Sequence, residues 1–123
     1  MRVLLSIKPE FANKIFDGSK KFEFRKVIFR NANVKEVIVY ASSPVQKVIG
    51  EFEIDNILME EPGDLWRKTK SESGVSEDFF FTYFINRSVG YAIGIKNVKK
   101  YKIPKCIKAD FKAFPPQSFI YVD

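Results

Sequence analysis

The chain has 123 residues, 46% of them hydrophobic and 29% charged, with 21 Lys and Arg against 15 Asp and Glu for a net charge of +6. Those figures predict one globular domain over residues 1–123 that buries a core without disulfides or metals, and a basic surface suited to polyanions. One cysteine, Cys106, excludes an internal disulfide, and the absence of histidine excludes the commonest zinc ligand and all His-based triad or acid–base chemistry, so no metal and no cofactor is expected.

Residues 2–7 alternate as a short strand and stop at Pro9, which suits the first turn of a helix. The apolar run at the N-terminus is too short for a signal peptide, and no stretch approaches the ~20 apolar residues of a membrane span. A cytoplasmic protein with no membrane partner is therefore expected. Phe11, Ala12, Ile15 and Phe16 form a stripe at helical spacing, and Gly18 is placed to cap that helix. Strands are predicted over Lys21–Phe29 and Val34–Tyr40, with a turn at Asn31–Asn33. A longer strand over Val45–Leu58 carries Gly50 at a predicted bulge. Asp64 is the expected cap of a short helix ending near Lys70, and Ser76 of a second helix through Phe84. A strand over Tyr91–Val98 precedes a proline-punctuated tail that ends in strand Phe119–Val122. The order predicts an α+β fold, a mixed sheet curled into a small β-barrel with short helices packed around it.

The segment Gly18-Ser19-Lys20-Lys21-Phe22-Glu23-Phe24-Arg25 places a helix end and a tight turn directly before a strand. Alternation puts Phe22 and Phe24 on the core face and an exposed row of Lys21, Glu23 and Arg25 on the other. A solvated face with weak ion pairs is the plain alternative to a binding site. As ligand groups, Lys20 and Arg25 hold phosphate or a base carbonyl, and Glu23 accepts from an exocyclic amine.

Leu4-Leu5-Ser6-Ile7-Lys8-Pro9, a helix, and then Gly18-x-Lys20-x-x-Glu23-x-Arg25 resemble the start of the ASCH domain family, within the PUA-like superfamily. The likeness continues through Val39-Tyr40-Ala41-Ser42-Ser43-Pro44, Val48-Ile49-Gly50-Glu51-Phe52 and Pro115-Pro116-Gln117-Ser118-Phe119, while residues 60–90 match no motif. The resemblance implies a small β-barrel with a cleft beside the first helix that takes RNA or a nucleotide-like ligand. It puts Lys20, Glu23 and Arg25 at the motif positions, with Ser6 and Lys8 at the cleft mouth. Tyr40, Ser42 and Ser43, at a strand end, are expected to line the same cleft, and Gln117 and Ser118 are weaker candidates. Some ASCH-like proteins are amidohydrolases acting on an acylated cytidine with a Lys, a hydroxyl residue and a carboxylate. Lys20 falls on the Lys position, but Glu23 stands where the Thr would be, leaving only Ser19, Ser42 or Ser43 to supply a hydroxyl.

Three functions follow from this pattern. The first is an RNA- or nucleotide-binding protein, acting in RNA metabolism or transcription regulation. The second is an enzyme, an N4-acetylcytidine-type nucleoside amidohydrolase or an RNA-processing hydrolase, with Lys20 and Glu23 catalytic. The third is a protein-interaction module that self-associates through Phe79, Phe80 and Phe84. Trp66 is expected to cover the core, and Cys106 to be a buried thiol. The lysines from Lys96 to Lys112 read as a solvated edge or, more sharply, as a phosphate-tracking stripe.

Overall fold

A computed structural model describes all 123 residues. Strand β1 (Arg2–Ile7) runs into helix α1 (Pro9–Asp17), which begins with Pro9 and closes on Gly18 at φ 89°, its N–H donating to Ile15 O. The apolar stripe does what its spacing dictates: Ala12 and Ile15 are fully buried against the sheet. Strand β2 is only Phe22–Arg25, shorter than predicted, followed by β3 (Glu36–Ala41) and β4 (Lys47–Glu60). Register shifts either side of Ile49 mark the bulge expected at Gly50.

Helix α2 (Pro62–Thr69) is capped by Glu61, not Asp64 as expected, because the Glu61 carboxylate accepts from Gly63 N. A 3-10 turn (Lys70–Glu72) leads to α3 (Glu77–Tyr83), where Ser76 Oγ accepts from Phe79 N as its sequence position requires. Strand β5 (Gly90–Lys105) is twice the predicted length. A short helix α4 (Ile107–Phe111), unforeseen, precedes β6 (Phe119–Val122).

The strands form one six-stranded sheet in the order β2-β5-β4-β3-β1-β6. β1 and β3 run parallel, and the other pairs antiparallel. One face packs a core of fourteen residues with α1; the other packs Leu4, Ile38, Tyr40 and Val48 against Ile107 of α4. A third cluster joins Phe24 and Ala92 to Leu65 of α2, Phe80 of α3 and Phe84 at its C-cap.

The mixed α+β sheet with short helices agrees with expectation, but the barrel does not close: the ladder ends at β2 and β6. A side chain, not a ladder, spans the two edges. Arg25, at the end of β2, donates to Ser6 O of β1 at 3.3 Å and to Ser118 O beside β6 at 2.7 Å. No helix is long and apolar enough to cross a membrane.

Candidate functional site

Beside α1 lies a cavity of about 300 Å³, at the small end of the range for ligand pockets. β1 and α1 contribute Ser6, Ile7, Lys8 and Phe11, and β2 with its preceding turn contributes Lys20, Glu23, Phe24 and Arg25. The far wall is Val75, Phe79, Phe80 and Tyr83 from α3 and its approach, and Gln117 comes from the tail. Five of the eight residues expected to form the ligand site thus meet here: Ser6, Lys8, Lys20, Glu23 and Arg25.

Tyr40, Ser42 and Ser43 do not line this cavity. Tyr40 is the register partner of Ser6, yet its ring is buried in the second cluster with Leu4 and Ile38. Along β3, Ile38 and Tyr40 share the face that α4 covers, opposite Val37, Val39 and Ala41. Ser42 and Ser43 lie in the turn after β3, where Ser42 N–H donates to Ile7 O. Ser19 is exposed and also outside the cavity, so none of the serines considered as replacement hydroxyl residues borders it.

Lys20 is the most unusual group. The turn after the Gly18 cap would normally leave it solvated, but it is only 2% exposed. A strap from the 3-10 turn to α3 folds over it. Lys21 N–H donates to Glu72 O at 2.9 Å, Lys20 Nζ to Ser73 O at 2.8 Å, and Lys14 Nζ to Gly74 O at 3.1 Å. Gly74 adopts φ +69° and packs so closely that an added Cβ would sit 2.6 Å from Lys20 Cβ. The ammonium lies 4.8 Å from the Phe24 ring centroid and 5.4 Å from that of Phe11. Burial lowers the Lys20 pKa to about 8; the Glu23 charge opposes that drop and the Lys14 charge adds to it. Lys20 therefore gives up its proton more readily than an ordinary lysine.

The predicted solvated row on β2 is not solvated. Glu23 is 6% exposed, and its Oε2 accepts from Arg25 at 3.2 Å in a shielded ion pair. Its Oε1 has no donor and is not enclosed by protein, since no buried side-chain polar atom lacks a partner. Arg25 spends its fork on Glu23, Ser6 O and Ser118 O, so it positions Glu23 and ties the sheet edges together. Ser6 Oγ is likewise committed, donating to Pro116 O at 2.7 Å. Lys8 is exposed at the mouth, 5.8 Å from the Phe79 ring.

Sequence reasoning missed the aromatic wall. Phe79 and Tyr83 stand one helical turn apart with near-parallel rings, 6.2 Å between centroids and 9° between planes. Their i,i+4 spacing was the available signal, but it is equally the signal of a core stripe. Tyr83 OH donates to Phe24 O at 3.3 Å, and burial raises its pKa above the usual phenol value. Phe80 and Phe84 are buried, at 1% and 2% exposure, which withdraws them from any self-association face. Trp66 packs on Phe80 and donates Nε1–H to Glu77, outside the cavity. Cys106, expected buried, is exposed, since it caps α4 at the surface.

Residues 5–112 match the ASCH domain. The chain belongs to the ASCH domain family. ASCH from Zymomonas mobilis has the same fold: its crystal structure superposes with a TM-score of 0.88 at 29% identity, covering 99% of this chain and 87% of that one. This ASCH chain is 30% identical over 124 residues to a protein from Zymomonas mobilis subsp. mobilis named ASCH domain-containing ribonuclease, covering 97% of this chain and 82% of that protein. It is also 32% identical over 121 residues to the ATP synthase subunit alpha of Ureaplasma parvum. It spans only 15% of that protein, and 39% of the large ribosomal subunit protein uL22 of the same species.

Proposed function

We propose that the cavity receives one nucleobase of a single-stranded RNA, with Lys20 and Glu23 reading its polar edge. The observation that carries this reading is a buried ammonium and a carboxylate with one uncommitted oxygen, both lining an aromatic-walled cavity of about 300 Å³. Lys20 donates to a base carbonyl or ring nitrogen, and Glu23 accepts from an exocyclic amine. Phe11, Phe79 and Tyr83 supply faces for stacking, and Lys8 and Gln117 at the mouth meet the ribose and phosphate. Arg25 holds Glu23 in place and does not take phosphate. The Zymomonas relative named as a ribonuclease supports RNA as the ligand class.

A second reading, RNA cleavage, is favoured by the lowered pKa of Lys20. A lysine that is partly neutral near pH 7 can take the proton of an attacking ribose hydroxyl. Amide hydrolysis has less behind it, because the cavity hydroxyls, Ser6 and Tyr83, both donate to backbone carbonyls.

Fluorescence anisotropy of a labelled single-stranded RNA and calorimetry of free nucleosides test the binding reading. Tyr83→Ala is expected to weaken both by about 1–3 kcal/mol, the value of one base–aromatic stack, and Lys20→Ala to weaken both further. Wild-type protein that binds neither RNA nor nucleoside at low salt refutes it. Cleavage of the same RNA, rising through pH 8 and abolished by Lys20→Ala, would establish the second reading.

A further inference from the structure

The charge of the molecule is segregated. Between Lys96 and Lys112 the sequence carries seven lysines and one acid, Asp110, a net +6 equal to that of the whole chain; the remaining residues hold fourteen basic and fourteen acidic groups. All seven lysines are exposed. Beyond Gly94, where β2 stops pairing with it, β5 is an open edge strand, joined on its other side to β4.

The acids of β4 offset this edge only in part: Glu51 and Glu53 stand opposite Lys99 and Lys96 in the register, yet both carboxylates bond elsewhere. Glu51 accepts from Tyr101 OH at 2.9 Å and Glu53 from Asn97 Nδ2 at 2.6 Å, while Lys96 alone has a carboxylate partner, Asp55 at 4.0 Å. Lys105 instead lies over the Tyr101 ring at 4.5 Å. Cys106 follows the strand end, exposed between Lys105 and Lys108. The thiol of Cys106 is held below its usual pKa by the Ala109 and Lys108 N–H groups, with Lys47 adding to the effect. Edge protection against strand pairing accounts for lysines along β5; it does not account for Lys108 and Lys112, which continue the basic run through α4 and its cap.

We propose that this lysine edge of β5 and α4 tracks the phosphates of an RNA strand outside the cavity. Its RNA partner rests on the reading above. Glu23 pairs with Ile93 on the same β5 whose far end is Lys105. At ~3.3 Å per residue the contour between them reaches about 40 Å when extended, a span for several nucleotides. A nucleoside fills the cavity, whereas an oligonucleotide also engages the edge.

The test is the variant Lys99→Gln, Lys100→Gln, Lys102→Gln, Lys105→Gln, whose exposed substitutions spare the core. Its RNA affinity is expected to fall about 10- to 100-fold at low salt, and the slope of log affinity against log salt to drop by about 3, near 0.7 per lost phosphate contact. Its affinity for a free nucleoside stays at the wild-type value. Cys106 gives an independent readout: a single-stranded RNA of about 12 nucleotides slows its modification by a thiol reagent, while a nucleoside does not. Unchanged RNA affinity and slope overturn the proposal, as does loss of binding to phosphatidylserine vesicles with RNA binding intact. Failure of the cavity reading is separate, since Tyr83→Ala would then leave nucleoside and RNA binding untouched while the edge variant still lost RNA.

Discussion

Arg25 divides two accounts of the site, and replacing it with Gln separates them. As a ligand-binding group, it should be removable with little effect on stability. As the tie across the open sheet, it should not be. Its guanidinium serves the Glu23 carboxylate at 3.2 Å, Ser6 O at 3.3 Å and Ser118 O at 2.7 Å, with only 13% of its side chain exposed. Removing one member of a shielded ion pair leaves the other charge uncompensated, at a cost of about 3–5 kcal/mol. Glu23 lines the cavity, where solvent can compensate part of its charge, so the low end, about 3 kcal/mol, applies. For a chain of this length that lowers Tm by about 10–15 °C. Arg25→Lys keeps the charge but loses the fork, and about 1–2 kcal/mol is expected. Urea unfolding followed through Trp66 fluorescence measures both as a lower midpoint at unchanged m. Adding Glu23→Gln to Arg25→Gln should recover part of the loss, because no orphaned carboxylate remains. Arg25→Gln melting within about 2 °C of wild type, with RNA affinity lost, would refute the structural assignment.

Lys20 makes the opposite prediction, that a binding-site residue costs stability. The unfolded chain holds a lysine proton up to the ordinary value of 10.5 and the folded chain releases it near 8. Between those values the unfolded state binds more protons, so the Lys20 contribution to stability rises with pH, by on the order of 3 kcal/mol. Lys20→Met should be more stable than wild type at pH 7 and lose that advantage by about pH 10.5; a gap between the two proteins that does not change with pH refutes this. Gly74→Ala combines a left-handed backbone with a Cβ 2.6 Å from Lys20, and about 2 kcal/mol of destabilisation is expected in the same urea assay. Wild-type stability in that variant would show that the strap does not press on Lys20.

The elements written into local pattern were legible. The strand–Pro9–helix–Gly18 opening, the Ser76 cap and the bulge near Gly50 each depend on residues within a few positions of one another. What depended on distant chain was not. Lys20 reads as a turn lysine because its cover, Ser73 and Gly74, lies more than fifty residues downstream and bears no motif. The barrel was over-read for a related reason: closure needs a ladder between β2 and the β1–β6 edge, and the sequence supplies only a four-residue β2 and one arginine. Tyr40 was misplaced by strand parity, since β3 is buried on both faces and its apolar run carries no alternation to orient it. Phe79 and Tyr83 do not announce themselves as a cavity wall, because a helix that walls a cavity and a helix that seals a core present the same stripe.

The two cationic groups that the Lys-x-x-Glu-x-Arg spacing brings together are used in opposite ways, and that contrast locates the chemistry. Arg25 is saturated: its acceptors are fixed protein groups, so a ligand would have to displace structural bonds to reach it. Lys20 is held dry with a single carbonyl acceptor, Ser73 O, although an ammonium has three donors. Burying a charge so sparsely partnered is unfavourable in the free protein, and the cost falls when a ligand supplies the missing acceptors. The same desolvation that lowers the Lys20 pKa makes each hydrogen bond it gives stronger than one in water. Binding to a base carbonyl is therefore coupled to protonation of Lys20, and affinity should decline as pH rises through about 8. Catalysis by the neutral amine would increase over that same range. The pH dependence of one residue thus distinguishes a protein that holds RNA from one that cuts it.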